Sequence, residues 1–250
     1  MNELDFYEER KDWNFSKFEI EAESLTNWDL FKILNEVATK DSRILDLGTG
    51  GGEKVLKYFP ECAEILGTDL SVEMIKTANQ NLKISGRKNI EFRLMDNLKM
   101  DVPLDYFDIV VARNTVSDPS QIYKCLKKGG ILLIHGVDMF DCHSLKLMFG
   151  RGQAFNDKKP ISIIDYENVL NANFKDVELV PIYVREFFKS KYLFMEFLKS
   201  VPILDDFSEE TGIFFKREID KKIIDKYIEE NTYDGKIKLL RRYYGITAKK

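Results

Sequence analysis

A glycine-rich turn with a carboxylate on either side is the part of the sequence best suited to chemistry. Gly48, Gly50 and Gly52 alternate within ILDLGTGGGE, and Asp46 precedes the first of them by two residues. Glycine lets the backbone turn tightly and approach a ligand closely, and a helix that follows offers free N–H groups. A second acid, Asp69, ends the next apolar run, where an acid normally hydrogen-bonds a ribose diol. The spacing therefore predicts a nucleoside site.

The residues of the same turn indicate which class of nucleotide ligand could bind. A dinucleotide fingerprint reads G-x-G-x-x-G, and its third glycine would fall at Glu53, whose carboxylate would repel a pyrophosphate. A P-loop ends in Gly-Lys-Ser/Thr, which the run Gly52-Glu53-Lys54-Val55 does not supply. The turn therefore favours a ligand without phosphate. S-adenosylmethionine, which carries a sulfonium and an ammonium and no phosphate, has these properties.

Strand and helix patterns alternate around this turn. The predicted strands are 43–47, 64–70, 89–95, 107–113 and 130–137. The predicted helices between them are 53–59, 71–85 and 121–130. The alternation predicts an α/β fold with a doubly wound, mostly parallel sheet, whose strand carboxyl ends form the ligand-binding edge. Strands over 177–188 and 236–250 raise the predicted number of strands to seven.

The chain divides into three predicted parts. Residues 1–40 form an N-terminal helical arm or lid, with a helix of about four turns in its second half. Apolar side chains recur there every three residues, at Leu25, Trp28, Phe31, Leu34 and Val37. Residues 41–186 and 236–250 form the cofactor-binding domain. Residues 187–235 form a helical insertion before the last strand, which we interpret as a substrate cap.

Composition excludes several classes of protein. Among 250 residues, 38 Lys and Arg against 42 Asp and Glu give a net charge of −4, which disfavours nucleic-acid binding. Three Cys and two His exclude a disulfide framework and a Cys/His zinc site, and we expect no metal. No apolar run approaches the ~20 residues of a membrane span, and the acidic start is unlike a signal peptide. We expect a cytoplasmic monomer or homodimer.

Taken together, these motifs resemble those of class I S-adenosylmethionine-dependent methyltransferases. The resemblance rests on 44–53, Asp69, Asp96 and the segments FDIVVARN and LKKGGILLI, and it covers roughly 41–186 and the final strand. It implies S-adenosylmethionine as cofactor and methyl transfer by in-line displacement. The layout is similar to that of small-molecule methyltransferases of the trans-aconitate type, which implies a small-molecule acceptor.

The resemblance also implies roles for single residues. Asp46 would support the amino group of the methionine part, Asp69 would hold the ribose hydroxyls, and Asp96 would receive the adenine amine. The whole implied cofactor set is Asp46, Gly48, Thr49, Gly50, Gly52, Asp69, Leu70, Met74, Asp96, Asn97 and Arg113. A general base is needed only if the acceptor loses a proton. The candidate catalytic residues are Asn114, His135 and His143, and Asp138 is a further candidate base.

Three other interpretations stay open. A nucleoside- or NAD-binding oxidoreductase would use a similar sheet, although Glu53 disfavours it. A methyltransferase acting on RNA is a second, although the net negative charge disfavours it, and the run Asn114-Thr115-Val116-Ser117 lacks the Pro-Pro-aromatic motif of adenine N-methyltransferases. The third is a non-catalytic module that keeps the cofactor site and works through partners.

Overall fold

The computed structural model describes residues 15–204 and 218–250. Its strands are β1 (Glu21–Ser24), β2 (Arg43–Leu47), β3 (Glu64–Asp69), β4 (Ile90–Leu94), β5 (Phe107–Arg113), β6 (Leu126–Val137), β7 (Lys175–Phe188), β8 (Thr232–Tyr233) and β9 (Lys236–Lys249). Its helices are α1 (Leu30–Val37), α2 (Glu53–Tyr58), α3 (Val72–Ser85), α4 (Pro119–Cys125), α5 (His143–Phe149), α6 (Ile161–Asn171), α7 (Lys191–Ser200) and α8 (Glu218–Asn231), with a 3₁₀ turn at Ser16–Phe18. None of the helices within those ranges is long and apolar enough to cross a membrane.

One sheet organises these elements, in the order β1-β7-β9-β6-β5-β2-β3-β4, with β8 paired to β9. β2 to β6 pair with one another in parallel, and β9 runs antiparallel to both β6 and β7. The predicted doubly wound, mostly parallel sheet is confirmed. The predicted number of seven strands is wrong, because the described residues form nine. The two extra strands, β1 and β8, are short and exposed, so they carry no apolar alternation that a sequence could display.

The N-terminal arm differs from the prediction. The helix expected over 25–37 is only α1, and the chain before it forms β1 at the outer edge of β7. The Asp29 side chain accepts the N–H of Lys32 and so begins the helix there. Leu25 instead donates its backbone N–H to the carbonyl of Tyr183 at 2.8 Å. The pairing of β1 with β7 thus outweighs the helical pattern of the sequence. Residues 1–14 of the predicted arm lie outside the described ranges.

The boundary between α4 and β6 also differs from the prediction. A helix was expected over 121–130, but α4 ends at Cys125 and β6 begins at the next residue. The end of the chain pairs with this part of β6. The N–H of Gly129 donates to Lys250 at 3.0 Å, and the N–H of Lys250 donates to Gly130 at 2.9 Å. Hydrogen bonds to a distant part of the chain thus place these residues in a strand, although their local propensity favours a helix.

Helices cover both faces of the sheet. α1, α2 and α3 bury Leu34, Val55 and Ala78 against one face, together with Ile44 and Val111 of the strands. α4 and α6 bury Ile122 and Val169 against the other face. The central strands are therefore apolar on both sides, as a doubly wound sheet requires. The carboxyl ends of β2 to β5 and of β6 meet at one edge.

A third apolar cluster lies beyond that edge. β6 ends at Val137, which pairs with Tyr243, so the first residues of β9 continue past the end of β6. We call the residues packed there the cap cluster: Phe18, Cys142, Leu145, Phe149, Phe188, Phe194, Phe197, Leu198, Val201, Ile203, Leu204, Ile224, Tyr227, Ile237 and Leu239. They come from α5, α7, α8, the 3₁₀ turn and the far ends of β7 and β9. A packed unit with its own apolar core thus adjoins the carboxyl edge of the sheet.

Candidate functional site

The glycine turn joins β2 to α2 at the carboxyl edge. Gly48 and Gly52 have φ of +75° and +77°, a region that L side chains avoid. A Cβ at Gly48 would lie 2.7 Å from the Cβ of Thr115, and one at Gly52 would lie 2.7 Å from the ring of Phe92. The backbone N–H groups of Gly48 and Thr49 both donate to Thr68, at 2.9 and 2.8 Å. The turn is therefore pressed against β3 and β5, and only glycine fits it.

Asp69 lies at the centre of the site. Its two carboxylate oxygens accept the N–H of Gly50 and the N–H of Ser71, each at 2.9 Å. The side chain thereby links the turn after β2 to the start of α3, where the Ser71 hydroxyl accepts the N–H of Met74. Asp69 remains partly exposed, and each of its oxygens keeps a lone pair. These lone pairs could accept the two hydroxyls of a ribose.

A buried ion pair closes the other side of the turn. The fully buried Asp46 accepts two hydrogen bonds from Arg113, with Oδ1–Nε 3.0 Å and Oδ2–Nη2 2.7 Å. Burial disfavours the charged guanidinium, but the Asp46 carboxylate outweighs burial and raises the pKa of Arg113 above its ordinary value. Within the described part of the chain, Nη1 of Arg113 makes no hydrogen bond. Asp46 thus holds the Arg113 guanidinium in place, and the unengaged Nη1 of Arg113 could bind a carboxylate.

The glycine turn carries two further signs of a ligand site. The Thr49 hydroxyl is buried and has no hydrogen-bond partner among the described residues. The Glu53 carboxylate lies over the turn, since a Cβ at Gly51 would come within 2.6 Å of its Oε1. A negative charge there disfavours a phosphate, as the sequence indicates.

The remaining predicted cofactor residues fall into different environments. Asp96 is partly exposed and one of its oxygens accepts the N–H of Leu98, which leaves the other oxygen available. Leu70, which follows β3 at the same edge, is 63% exposed, whereas Met74 is buried in the start of α3. Asn97 is buried and bonds Thr68 and Thr115 through its amide. Asn97 therefore fixes the loops around the site.

Two residues that shape the turn, Thr115 and Gly67, are not among the predicted site residues. Thr115 fills the space over Gly48 and accepts the Asn97 amide at 3.0 Å. A Cβ on Gly67 would lie 2.7 Å from Phe92 and 2.8 Å from the Thr49 hydroxyl oxygen. A glycine inside an apolar strand marks such a close approach, so EILGTD carried a signal for Gly67. Nothing comparable marks Thr115, because its role depends on a contact between distant parts of the chain.

Two of the candidate catalytic residues meet at the ends of β5 and β6. Asn114 has φ of +49°, its N–H donates to the carbonyl of His135 at 2.8 Å, and its Oδ1 lies 3.3 Å from His135 Nδ1. The imidazole lies between Trp28 and Tyr243, with ring centroids 6.4 and 5.1 Å away. Burial, aided by the charge of Arg113, lowers the pKa of His135 to about 4. The imidazole is therefore neutral at pH 7.

The other two candidates lie elsewhere. His143 is exposed at the start of α5 and packs edge-on against Phe140 at 5.2 Å. Asp138 is buried and accepts the Ser162 hydroxyl at 2.7 Å and the N–H of Phe140 at 3.0 Å. Its contacts join the end of β6 to α6, which is a structural role. The structure therefore brings together Asn114 and His135 alone of the four.

A family model described as a methyltransferase domain matches residues 38–177, which is more than half of the chain. That range contains the glycine turn, Asp69, Asp96 and Arg113. The chain belongs to this methyltransferase family. The expected resemblance to class I S-adenosylmethionine-dependent methyltransferases is confirmed. The strand order of the sheet positions the glycine turn at its carboxyl edge.

Individual relatives cover shorter stretches. The uncharacterised methyltransferase YcgJ of Bacillus subtilis is 28% identical over 88 residues, 35% of this chain and 35% of that protein. The ribosomal protein L11 methyltransferase of Listeria innocua is 30% identical over 112 residues, 42% of this chain and 35% of that protein. These alignments thus span about a third of the length of the curated relatives.

Solved structures share the fold of this methyltransferase over most of its length. The crystal structure of Bacillus subtilis YcgJ has a TM-score of 0.55 at 18% identity, and the match covers 88% of this chain and 97% of that one. Phosphoethanolamine N-methyltransferase 2 of Haemonchus contortus, solved with phosphomonomethylethanolamine and S-adenosylhomocysteine, has a TM-score of 0.52 at 20% identity, over 89% of this chain and 52% of that one. At such identities the likeness concerns the fold.

The residues of this methyltransferase fit S-adenosylmethionine. The lone pairs of Asp69 suit a ribose, and Arg113, held by Asp46, suits the carboxylate of an amino acid. The Thr49 hydroxyl has no other partner in the described ranges, and Glu53 disfavours phosphate. No group of His, Cys, Asp or Glu within those ranges is arranged to hold a metal ion.

Proposed function

We propose that this protein binds S-adenosylmethionine at the carboxyl edge of its sheet and transfers the methyl group to a small-molecule acceptor. The observation that carries the proposal is the Asp69 carboxylate, held by the N–H groups of Gly50 and Ser71 beside a turn that only glycine fits. The bound sulfonium supplies an activated methyl group. The protein must therefore mainly align the two reactants, and alignment alone can lower a barrier by several kcal/mol.

Each part of the site has a proposed task. Asp69 accepts the ribose hydroxyls, and the free oxygen of Asp96 accepts the adenine amine. Asp46 faces the ammonium and Arg113 faces the carboxylate of the methionine part. Leu70, which is mostly exposed, covers the adenine or the ribose. The glycine turn lets the backbone approach the ligand without a side chain between them.

The small-molecule acceptor is supported by the cap cluster and by charge. We propose that α7 and α8, which belong to the predicted insertion over 187–235, cover the acceptor, since they pack on the strand ends that continue past β6. Residues 205–217 of that insertion lie outside the described ranges. Buried Arg241 ties this unit to the sheet through Asp141 and Glu186, which limits how far the two can separate. The net charge of −4 disfavours a nucleic acid. The named acceptors of the relatives belong to different classes, so they do not select one.

Calorimetric titration with S-adenosylhomocysteine, S-adenosylmethionine and NADH tests the cofactor. The wild-type protein should bind both adenosyl ligands and not NADH. D69N removes one charge and one acceptor, and hydrogen bonds to charged groups contribute about 1.5–3 kcal/mol, so affinity should fall about tenfold to a hundredfold. D105N is the matched control, because Asp105 is an exposed carboxylate beside the opposite edge of the sheet. A preference for NADH, or equal affinities for D69N and wild type, would contradict the proposal.

A labelling experiment tests the acceptor class. Protein, S-adenosylmethionine with a labelled methyl group and a cell extract are incubated, and the extract is then separated into small-molecule, RNA and protein fractions. Label should enter the small-molecule fraction and should be lost with D69N. Label confined to RNA or to protein would overturn the small-molecule assignment and leave the cofactor assignment intact.

A further inference from the structure

We propose that His135 accepts the proton of the acceptor, which is a phenolic hydroxyl, and that Asn114 holds the imidazole in the orientation this requires. The proposal rests on the proposed methyl-transfer function, because it assigns a base and an acceptor class to the same site.

The position of His135 is fixed by the sheet. In β6 it pairs with Arg113 of β5 on one side and with Gly245 of β9 on the other, so all three lie on the same face. Arg113 is the residue that closes the glycine turn through Asp46. His135 is therefore the next residue outward from the proposed methionine position, on the side towards the cap cluster. A group that handles the acceptor belongs there.

Asn114 determines which nitrogen of His135 carries the proton. Its Oδ1 lies 3.3 Å from Nδ1, and because a carbonyl oxygen can only accept, we assign the proton to Nδ1. The lone pair of the neutral ring is then on Nε2, which has no hydrogen-bond partner among the described residues. The N–H of Asn114 also donates to the His135 carbonyl at 2.8 Å. The side-chain contact thus orients the imidazole, and the backbone hydrogen bond holds Asn114 beside it in a left-handed conformation.

The groups around the imidazole keep it uncharged. Arg113 of β5 is a cation on the same face, and Tyr243 of β9 and Trp28 bury the ring from two sides. A hydrogen bond with its own backbone and the charge of Asp29, before α1, favour the charged ring, but burial and Arg113 outweigh them. Tyr243 stays protonated at neutral pH, because burial raises its pKa well above the ordinary value. His135 therefore has a free lone pair at every pH near neutrality.

The surroundings select the acceptor class. A base has a task only if the acceptor loses a proton, which holds for a hydroxyl and not for a tertiary amine or a thioether. Trp28 and Tyr243 both adjoin His135, so an acceptor that reaches Nε2 lies beside aromatic side chains, which pack well against another flat ring. The Arg241 guanidinium lies over the Tyr243 ring, 5.0 Å from its centroid, and is already paired with Asp141 and Glu186. An uncharged ring that carries a hydroxyl fits this surface.

The step balances in atoms and charge. The acceptor O–H bond breaks and the proton goes to Nε2 of His135. The oxygen forms its bond to the methyl carbon as the carbon–sulfur bond breaks, and the electron pair of that bond stays on sulfur. The positive charge of the sulfonium thus ends on the imidazolium, which then releases its proton to water.

The first experiment needs no acceptor, because the chain has only two histidines. In protein with ¹⁵N-labelled histidine, H143Q identifies the His135 signals. At pH 7 we expect a proton on Nδ1 and none on Nε2, and N114A should redistribute the proton between the two nitrogens. Diethyl pyrocarbonate, which acylates accessible unprotonated imidazoles, should modify His135 at a constant rate from about pH 5.5 to 7.5. A proton on Nε2, or no acylation of His135, would overturn the proposal.

The second experiment measures turnover as S-adenosylhomocysteine formed from a panel of simple phenols. H135Q should lose about a hundredfold or more in rate, as for other general bases, while calorimetry shows S-adenosylhomocysteine affinity within about threefold of wild type. Equal turnover by wild type and H135Q would overturn the role of His135. A wild-type protein that binds the ligand but methylates no phenol would overturn the acceptor class. Absence of ligand binding in wild type would instead mark failure of the proposed function.

Discussion

At the scale of single residues, Gly48 shows how much the site depends on a missing side chain. G48A combines a φ of +75° with a methyl group 2.7 Å from the Cβ of Thr115. A left-handed alanine costs about 1–2 kcal/mol and overpacking adds about 1–3 kcal/mol, so urea unfolding should show a loss of about 2–5 kcal/mol. Calorimetry should show that S-adenosylhomocysteine binding is strongly weakened as well.

The matched control is G86A. Gly86 ends α3 with φ of +71°, but no atom lies within 4 Å of the position its Cβ would take. Only the backbone strain of about 1–2 kcal/mol should appear, and ligand affinity should stay at the wild-type level. Equal losses of stability and affinity in G48A and G86A would show that close contact at the turn is unimportant.

His135 should make stability depend on pH. Its pKa is about 4 in the folded protein, against an ordinary value of 6.5, so the unfolded chain takes up the proton first as pH falls. Stability should therefore decline from about pH 6.5 down to about pH 4, by about 3 kcal/mol in total, and should be unaffected by His135 above this window.

Denaturant unfolding of wild type and H135Q between pH 4 and pH 7.5 isolates this effect. The difference in the free energy of unfolding between the two proteins should change by about 3 kcal/mol across the window. H143Q keeps His135 and should follow wild type. A constant difference between wild type and H135Q would show that His135 is protonated equally in both states.

At the scale of elements, the segment that leads into α1 packs on β9 through Trp28. A Cβ on Gly245 would fall 2.5 Å from the ring of Trp28, and the indole Nε1–H points to the Thr247 hydroxyl at 3.4 Å. G245A should therefore displace Trp28 and loosen α1, at a cost of about 1–3 kcal/mol. In a W13F background, which leaves Trp28 as the only tryptophan, the fluorescence emission should shift.

G235A is the control for this prediction. Gly235 lies in the turn between β8 and β9 with φ of +72°, and nothing lies within 4 Å of its Cβ position. It should lose about 1–2 kcal/mol from backbone strain and leave the Trp28 emission unchanged. An unchanged emission in G245A would mean that the indole does not rest on β9.

At the scale of the whole molecule, the cap cluster has its own core. Phe194 is fully buried there, with its ring centroid 5.1 Å from Phe188 and 5.9 Å from Tyr227. F194A should lower the free energy of unfolding by about 3–5 kcal/mol. The glycine turn and Asp69 belong to a different part of the sheet, so S-adenosylhomocysteine affinity should change less than about tenfold. A loss of affinity as large as that of D69N would show that the cap cluster and the cofactor site form one unit.

The parallel sheet and the glycine turn could be predicted from local patterns of residues. RILDL and FDIVVAR match β2 and β5 residue for residue, and Ser71 and Gly86 mark the ends of α3. These features are local, because apolar runs, capping side chains and left-handed glycines act on neighbouring residues of the chain. The nucleoside interpretation followed from Asp46, the turn and Asp69 for the same reason.

Other strands and side-chain contacts of the site depend on parts of the chain that are far apart in the sequence. β1 and the start of β6 depend on backbone partners more than a hundred residues away, in β7 and at Lys250, so local patterns assigned them wrongly. The joining of Asn114 to His135, the pairing of Asp46 with Arg113 and the space that Thr115 fills all require strands that meet only in the folded sheet. Such contacts leave no trace in residue type or spacing, because each depends on the relative position of two elements and not on either element alone.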